Sequence, residues 1–222
     1  MLSLNMKTLP RKFYSRNTID VAISLLGCHF ISRVDGRKLG GMIVETEVYR
    51  GQDDPACHAF GGRTPRNAIM YGDPGFLYVY FTYGNHFMLN VVTERHGFPA
   101  AVLLRALEPI YDIEEMARRR NTPDILNISS GPGKLARALG ITTKHYGVDL
   151  TKPQIYIEGP SAQHHHILAS PRIGVGDRGA EKLWRFFIAD NPHVSKGSRL
   201  NREQCYELSA ARKMSFTAEN FK

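Results

Sequence analysis

The stretch Gly41-Met-Ile-Val-Glu-Thr-Glu-Val-Tyr49, followed within ten residues by His58, decides how the rest of the chain is read. At the two-residue period of a strand its side chains divide between two faces. Met42, Val44, Thr46 and Val48 fall on one, an apolar face for a core, and Ile43, Glu45, Glu47 and Tyr49 fall on the other. Same-face neighbours on a strand stand about 6.5–7 Å apart, so two ionised glutamates there repel unless one is paired or protonated. Taken alone, the stretch is explained more simply as a solvated strand face than as a site. Its neighbours change the balance.

Upstream, Asn17 caps a helix expected over residues 18–26, with Asp20 in its first turn and Gly27 as its stop. Ile19, Ala22, Ile23 and Leu26 share a face of it, which makes it a packing helix. Residues 28–34 alternate like a strand and meet Asp35-Gly36, a two-residue hairpin signal, so the strand at 41–49 is the returning arm. Residues 1–16 are a basic lead-in without pattern.

Downstream, residues 50–75 carry much Gly, Pro, Asp and Asn and little periodicity. A loop of that length inside a compact domain usually serves function or is mobile. It holds His58, whose nine-residue reach from Tyr49 allows it to fold over the face of Glu47 and Tyr49. A hairpin follows over 76–92, turning at Gly84-Asn85. Tyr83, beside the turn glycine, suits a wedge between stacked bases; packing under another loop of its own fold explains it equally well.

Residues 100–106 read as a buried strand ending at Arg105, an arginine that packing does not call for. Asp112 and Glu115 predict a capping box for a helix over 113–120. Residues 129–140 predict another helix, with Pro132 in its first turn and Gly140 as its stop. Lys134 at its glycine-opened start is a seat for one phosphate, although the spacing is not that of a nucleotide P-loop. A short strand is expected over 154–158, and Trp184-Arg-Phe-Phe-Ile188 reads as another. His164-His-His166 reads as surface, because adjacent strand residues face opposite ways and companion ligands are missing. Gly174-Val-Gly-Asp-Arg-Gly179 matches a dinucleotide fingerprint in letters but lacks the strand–helix frame that gives it meaning.

The whole chain of 222 residues suits one domain, here 1–195, followed by a polar, basic tail or terminal helix over 196–222. No run of eighteen apolar residues and no leader pattern is evident, so a soluble intracellular (cytoplasmic) protein is expected. Three widely spaced cysteines, Cys28, Cys57 and Cys205, fit a reducing compartment. A net charge of +8 and a pI near 9.5 favour a polyanionic partner.

Ten ordered motifs then converge. Val44-Glu-Thr-Glu-Val-Tyr49, Cys57-His58, Gly61-Gly-Arg63, Thr64-Pro-Arg-Asn67, Gly75-Phe-Leu-Tyr-Val-Tyr80, Tyr83-Gly84, Asn90, Leu103-Leu-Arg-Ala-Leu-Glu-Pro109, Ser130-Gly-Pro-Gly-Lys-Leu135 and Arg172-Ile-Gly-Val-Gly176 run in this order, within a match that covers about residues 10 to 195. In this set and order the chain resembles the monofunctional alkyladenine (3-methyladenine) DNA glycosylases. The resemblance implies an α+β fold, a single mixed domain around a curved antiparallel sheet with a protruding hairpin and flanking helices. It implies no metal and no cofactor.

It also implies roles. Glu47 is the general base that activates water. Tyr49 and Tyr80 sandwich the extruded base, and His58 helps to stack and hydrogen-bond it. Asn90 crowds the pocket floor against the amine of normal guanine, and Tyr83 fills the gap in the duplex. Arg105 holds the flipped nucleotide by its phosphate, and Lys134 and Arg172 lie at the DNA backbone. The implied partner is double-stranded DNA with damaged purines, engaged by a monomer. 3-Methyladenine and 7-methylguanine are the expected lesions, with hypoxanthine and ethenoadenine as neutral candidates. Hydrolysis would leave an abasic site without a strand cut. One departure stands out: Asn85 and His86 follow the hairpin glycine where some members carry bulkier apolar residues.

Three rivals remain at this stage. A non-catalytic binder of distorted DNA would keep Tyr83 and the charge but not need Glu47. An O-glycosidase would use Glu45 and Glu47, whose spacing is near the lower end for inversion, although neighbours on one strand face flank a bond poorly. A nicotinamide enzyme rests on the misplaced glycine motif alone.

Overall fold

The computed structural model describes residues 7–82, 84–160, 164–177, 179–195 and 205–208. Among these residues are four α-helices and one sheet: α1 (Arg11–Tyr14), α2 (Thr18–Leu25), α3 (Ile113–Arg120) and α4 (Pro132–Leu139). The strands are β1 (His29–Ser32), β2 (Leu39–Arg50), β3 (Leu77–Thr82), β4 (His86–Val92), β5 (Ala100–Tyr111), β6 (Ile155–Glu158), β7 (Ile167–Ser170), β8 (Arg185–Ile188) and β9 (Tyr206–Glu207). They run in the order β3-β4-β5-β2-β8-β7-β9, with β1 between β2 and β6, and every pairing is antiparallel. The fold is therefore α+β around an antiparallel sheet, as expected. Among the described residues no helix is long and apolar enough to cross a membrane.

β2 is the spine. β5 pairs along one edge for its whole length, while β1 and β8 share the other edge end to end, at 39–42 and 45–47. Gly40 and Gly41 make this three-way approach possible. A Cβ on Gly40 would stand 2.1 Å from the Phe30 carbonyl oxygen, and one on Gly41 would stand 2.0 Å from that of Glu108.

Several elements form for the local reasons the sequence supplies. The Asn17 side chain accepts from the Ile19 amide at 2.9 Å and starts α2. Pro132 opens α4, and Gly140, at φ +70°, closes it. α2 and α4 bury Leu25, Val21, Leu135 and Leu139 against Val44, Val48, Leu104 and Leu89 of the sheet.

Other elements differ from the sequence reading. The β1–β2 connection is not a two-residue turn: Ser32 pairs with Leu39, and residues 33–38 form the loop, with Gly36 at φ +76°. Asp112 makes no side-chain cap for α3; its backbone is left-handed, and its carboxylate takes Arg37 Nε at 2.6 Å. β5 continues five residues past Ala106, running through Pro109 to Tyr111. Strand β7 follows directly on the triple histidine. Of the stretch read as a tail, Tyr206 and Glu207 pair with β7 and Leu208 is buried in the core. The β2 face carrying the glutamates is not solvated, for Ile43, Glu45 and Glu47 are all fully enclosed.

Candidate active site

The chemistry gathers where β2 and β5 fall out of register. Glu45 pairs with Ala106 but Thr46 pairs with Leu104, so the step leaves Arg105 opposite the irregular joint. Such bulges re-aim side chains, and here Arg105 ends between two carboxylates. Its Nε donates to Glu45 Oε1 at 2.9 Å, and one terminal nitrogen lies 3.2 Å from Glu47 Oε2. The repulsion foreseen between the two glutamates is thus answered by a shared cation. Burial works against the charge on Arg105, but Glu47 and Glu45 more than offset it and hold the guanidinium above its ordinary pKa.

The two glutamates have different surroundings. Glu47 Oε1 accepts the Ile173 amide at 2.7 Å, and Oε2 accepts the Tyr49 hydroxyl at 2.9 Å. Tyr49, Arg105 and Ile173 all line one cleft, so Glu47 lies directly behind its wall. Glu45 does not line it. It accepts Arg185 Nε at 2.6 Å, Ser195 N at 2.7 Å and Ser195 Oγ at 2.8 Å besides Arg105. Burial pushes the Glu45 carboxyl up, yet Arg185, Arg105 and the Ser195 amide together hold it below the usual carboxylate range.

Beside the carboxylates stands an aromatic cavity. Tyr49, His58, Tyr80 and Asn90 line it together with Ala56, Met70, Tyr78 and Ala101. The structure thus brings the four residues expected around a base into one place. His58 Nδ1 is 2.8 Å from the Tyr78 hydroxyl, and its ring stands edge-on to Tyr80 with centroids 4.5 Å apart. Burial, helped by the nearby Arg66 charge, lowers the His58 pKa to about 4, so the ring is neutral near pH 7. Burial first, then Glu47, raises the Tyr49 phenol well above its usual value, which keeps its proton on the bond to Glu47. Asn90 Nδ2 donates to the Tyr78 carbonyl at 3.2 Å, which fixes its amide at the wall. The cavity interior, about 20 Å³, takes roughly one water, whereas the cleft in front of it offers about 440 Å³.

The other expected site residues lie apart. Lys134 is in the first turn of α4, bonded to Asn127 Oδ1, and lines a separate groove with His86, Arg120 and Arg137. Arg172, expected at the DNA backbone, is turned inward: its side chain is fully enclosed and grips Asp54 at 2.6 and 2.7 Å. It also donates to the Val48 carbonyl at 2.8 Å and stacks on the Tyr49 ring at 4.9 Å. Tyr83 lies outside the described residues. Among those described, no group of three His, Cys, Asp or Glu side chains could hold a metal ion.

Sequence reading missed Arg185, Ser195 and the Ile173 amide. Arg185 had a signal, an arginine inside the otherwise apolar Trp184-Arg-Phe-Phe-Ile188. A buried strand arginine calls for a buried acid, and Glu45 was already in view.

Comparison with known proteins adds a family. The model of the family described as methylpurine-DNA glycosylase matches residues 12–192. A protein of Chlorobaculum tepidum, provisionally described as a 3-methyladenine DNA glycosylase, is 49% identical over 193 residues, 86% of this chain and 92% of its own. Proteins with the same description from Desulfitobacterium hafniense and Bacillus mycoides are 42% and 44% identical over 201 residues each. They cover 86% and 84% of this chain and 99% and 98% of their own lengths.

Proposed function

We propose that this chain, which belongs to the methylpurine-DNA glycosylase family, swings an alkylated purine out of duplex DNA and hydrolyses its N-glycosidic bond with water activated by Glu47. Family membership makes it a DNA glycosylase, a hydrolase of N-glycosyl bonds that acts in DNA repair. The pocket, the base and the lesion are the proposed part.

The observation that carries the reading is the adjoining of two features. A carboxylate held by Tyr49, the Ile173 amide and Arg105 lies behind the wall of a cleft that shares Tyr49, His58 and Tyr80 with an aromatic cavity. A target inside a duplex must be extruded, at a cost of a few kcal/mol that is smaller for a damaged pair. Alkylation at N3 or N7 leaves the purine cationic, and the faces of Tyr49 and Tyr80 attract a cation. A neutral His58 does not repel it. Asn90, held at the wall, crowds an exocyclic amine at that position.

The bond balance is simple. The C1′–N bond breaks and its electron pair passes to the purine, neutralising the alkylated ring. The sugar gains oxocarbenium character, which the nearby anionic carboxylate stabilises. Water oxygen bonds to C1′, and its proton goes to Glu47. The product is an abasic site. No lysine is needed as a covalent nucleophile, so the strand stays intact. Lys134 is the proposed contact to a backbone phosphate. Arg105, at the cleft wall, is proposed to meet the phosphate of the flipped nucleotide while its Nε holds Glu45 and one terminal nitrogen holds Glu47. Tyr83 is the proposed wedge.

The test is release of free methylated purine from alkylated duplex DNA by the wild type and Glu47→Gln side by side. Release by the wild type alone supports the assignment. Equal release by both moves the base elsewhere, and DNA binding without release by either would return the chain to a damage-binding role.

A further inference from the structure

Glu45 is a carboxylate that no substrate reaches, yet the fold devotes much to it. Two guanidiniums and both the amide and hydroxyl of Ser195 converge on its oxygens within 2.6 to 2.9 Å. Ser195 is placed by a short turn whose Asn191 is tied to Glu108 on β5 at 2.8 Å. Buried ion clusters are weak sources of stability, because desolvation cancels most of the attraction. What such a cluster supplies well is a fixed geometry and a fixed charge.

The charge count gives that statement content. Glu45 and Glu47 bring two negative charges, and Arg105 and Arg185 bring two positive ones. Arg105 is common to both carboxylates. The charge it presents to Glu47 therefore depends on Glu45. The other charged or titratable groups facing Glu47 are Tyr49 on its own strand, Arg185 opposite it on β8, and Arg172, itself neutralised by Asp54.

We propose that Glu45, held by Ser195 and Arg185, is a positioning residue for Glu47: through the shared Arg105 it fixes the orientation of the base and sets the net charge around it. The proposal rests on the reading of Glu47 as the base.

Three variants test it, with single-turnover release of methylated purine measured across pH and thermal unfolding measured beside it. Glu45→Gln keeps the shape and removes the charge, leaving one excess cation by Glu47. Its kcat should fall about tenfold with KM nearly unchanged, and the acid limb of the rate profile should move down by on the order of one pH unit. Glu45→Asp should return the limb to its wild-type position while the rate stays reduced. Ser195→Ala leaves every charge in place but loosens Glu45 and Arg105. Its kcat should fall several-fold with the limb unmoved.

A merely structural cluster would give lower melting temperatures with unchanged kcat and an unmoved limb, and that result overturns the proposal. Should Glu45→Gln not fold, Ser195→Ala decides alone, and an unchanged kcat overturns it. Failure of the base assignment looks different, because Glu47→Gln would then excise like the wild type whatever the Glu45 variants do.

Discussion

The Tyr49 hydroxyl donates to Glu47 Oε2 across 2.9 Å, from a ring that is itself a wall of the aromatic cavity. One side chain therefore joins the stacking surface to the hydrolytic group. Arg172, stacked on the Tyr49 ring and fixed by Asp54, keeps that ring from turning away.

Tyr49→Phe separates the two roles. The ring remains, so capture of an alkylated purine should change less than threefold. The donor to a carboxylate is lost, and such bonds contribute about 1.5–3 kcal/mol, so kcat should fall roughly tenfold to a hundredfold. Single-turnover rates against substrate concentration resolve the two. A large rise in KM with unchanged kcat would assign the hydroxyl to binding.

His58 supplies a pH prediction. Its pKa is about 4 in the fold, against 6.5 when exposed. Between those values the unfolded chain binds the proton and the folded chain does not, so acidification favours unfolding. The stability tied to this residue is complete above pH 6.5 and is lost as pH falls toward 4. Titration of the His58 ring by NMR should show a midpoint far below that of an exposed histidine. Arg66→Gln removes a nearby cation and should raise the midpoint. A His58 midpoint near 6.5 would remove the argument that a neutral ring faces the cationic base.

Two glycines predict opposite sensitivities. Gly41→Ala drives a Cβ against the Glu108 carbonyl at 2.0 Å, where β2 pairs with β5 opposite Pro109. That substitution should cost roughly 4 kcal/mol or more, the range of severe backbone clashes. Gly84→Ala meets nothing within 4 Å and bears only the strain of φ +70°, about 1–2 kcal/mol. Denaturant midpoints of the two variants should differ accordingly.

These sensitivities also mark what a sequence reader could and could not see. The hairpin of β3 and β4, helix α2 behind Asn17 and helix α4 between Pro132 and Gly140 rest on periodicity and caps within a few residues, so they were legible. The cavity residues were legible as motifs, although nothing in their spacing dictated that Tyr78 would fasten His58. The carboxylate cluster was not, because its partners come from far away. Arg185 lies 140 positions from Glu45, Ser195 lies 150, and Arg172 lies 118 from Asp54. The burial of the glutamate face had the same source, as the Ile173 amide, the Arg185 side chain and Ser195 reach the carboxylates from late in the chain. Asp112 failed as a cap because Arg37, from the loop before β2, offered its carboxylate a charged donor.

Lys134 and Arg172 are both basic and both fall on motifs shared with the family, but they predict different measurements. Each phosphate neutralised on duplex DNA contributes about 0.9 to the slope of log affinity against log salt. Lys134 lines an open groove beside the hairpin, so Lys134→Ala should flatten the slope by about one unit and leave the fold intact. Arg172 has no exposed side-chain surface and closes a two-point pair with Asp54. Arg172→Ala strands a buried aspartate, which should cost about 3–5 kcal/mol of stability, while the salt slope of the folded fraction stays that of the wild type. Filter binding of a damaged duplex between low and moderate salt, with unfolding curves beside it, distinguishes the two. If Arg172→Ala flattened the slope as Lys134→Ala should, its guanidinium would have to leave Asp54 on binding DNA, and the Tyr49 ring would lose its backing at the moment a base arrives. A ring that must clamp a flipped purine needs that support most when the site is occupied, and this is the physical reason to expect Arg172 to stay where it is.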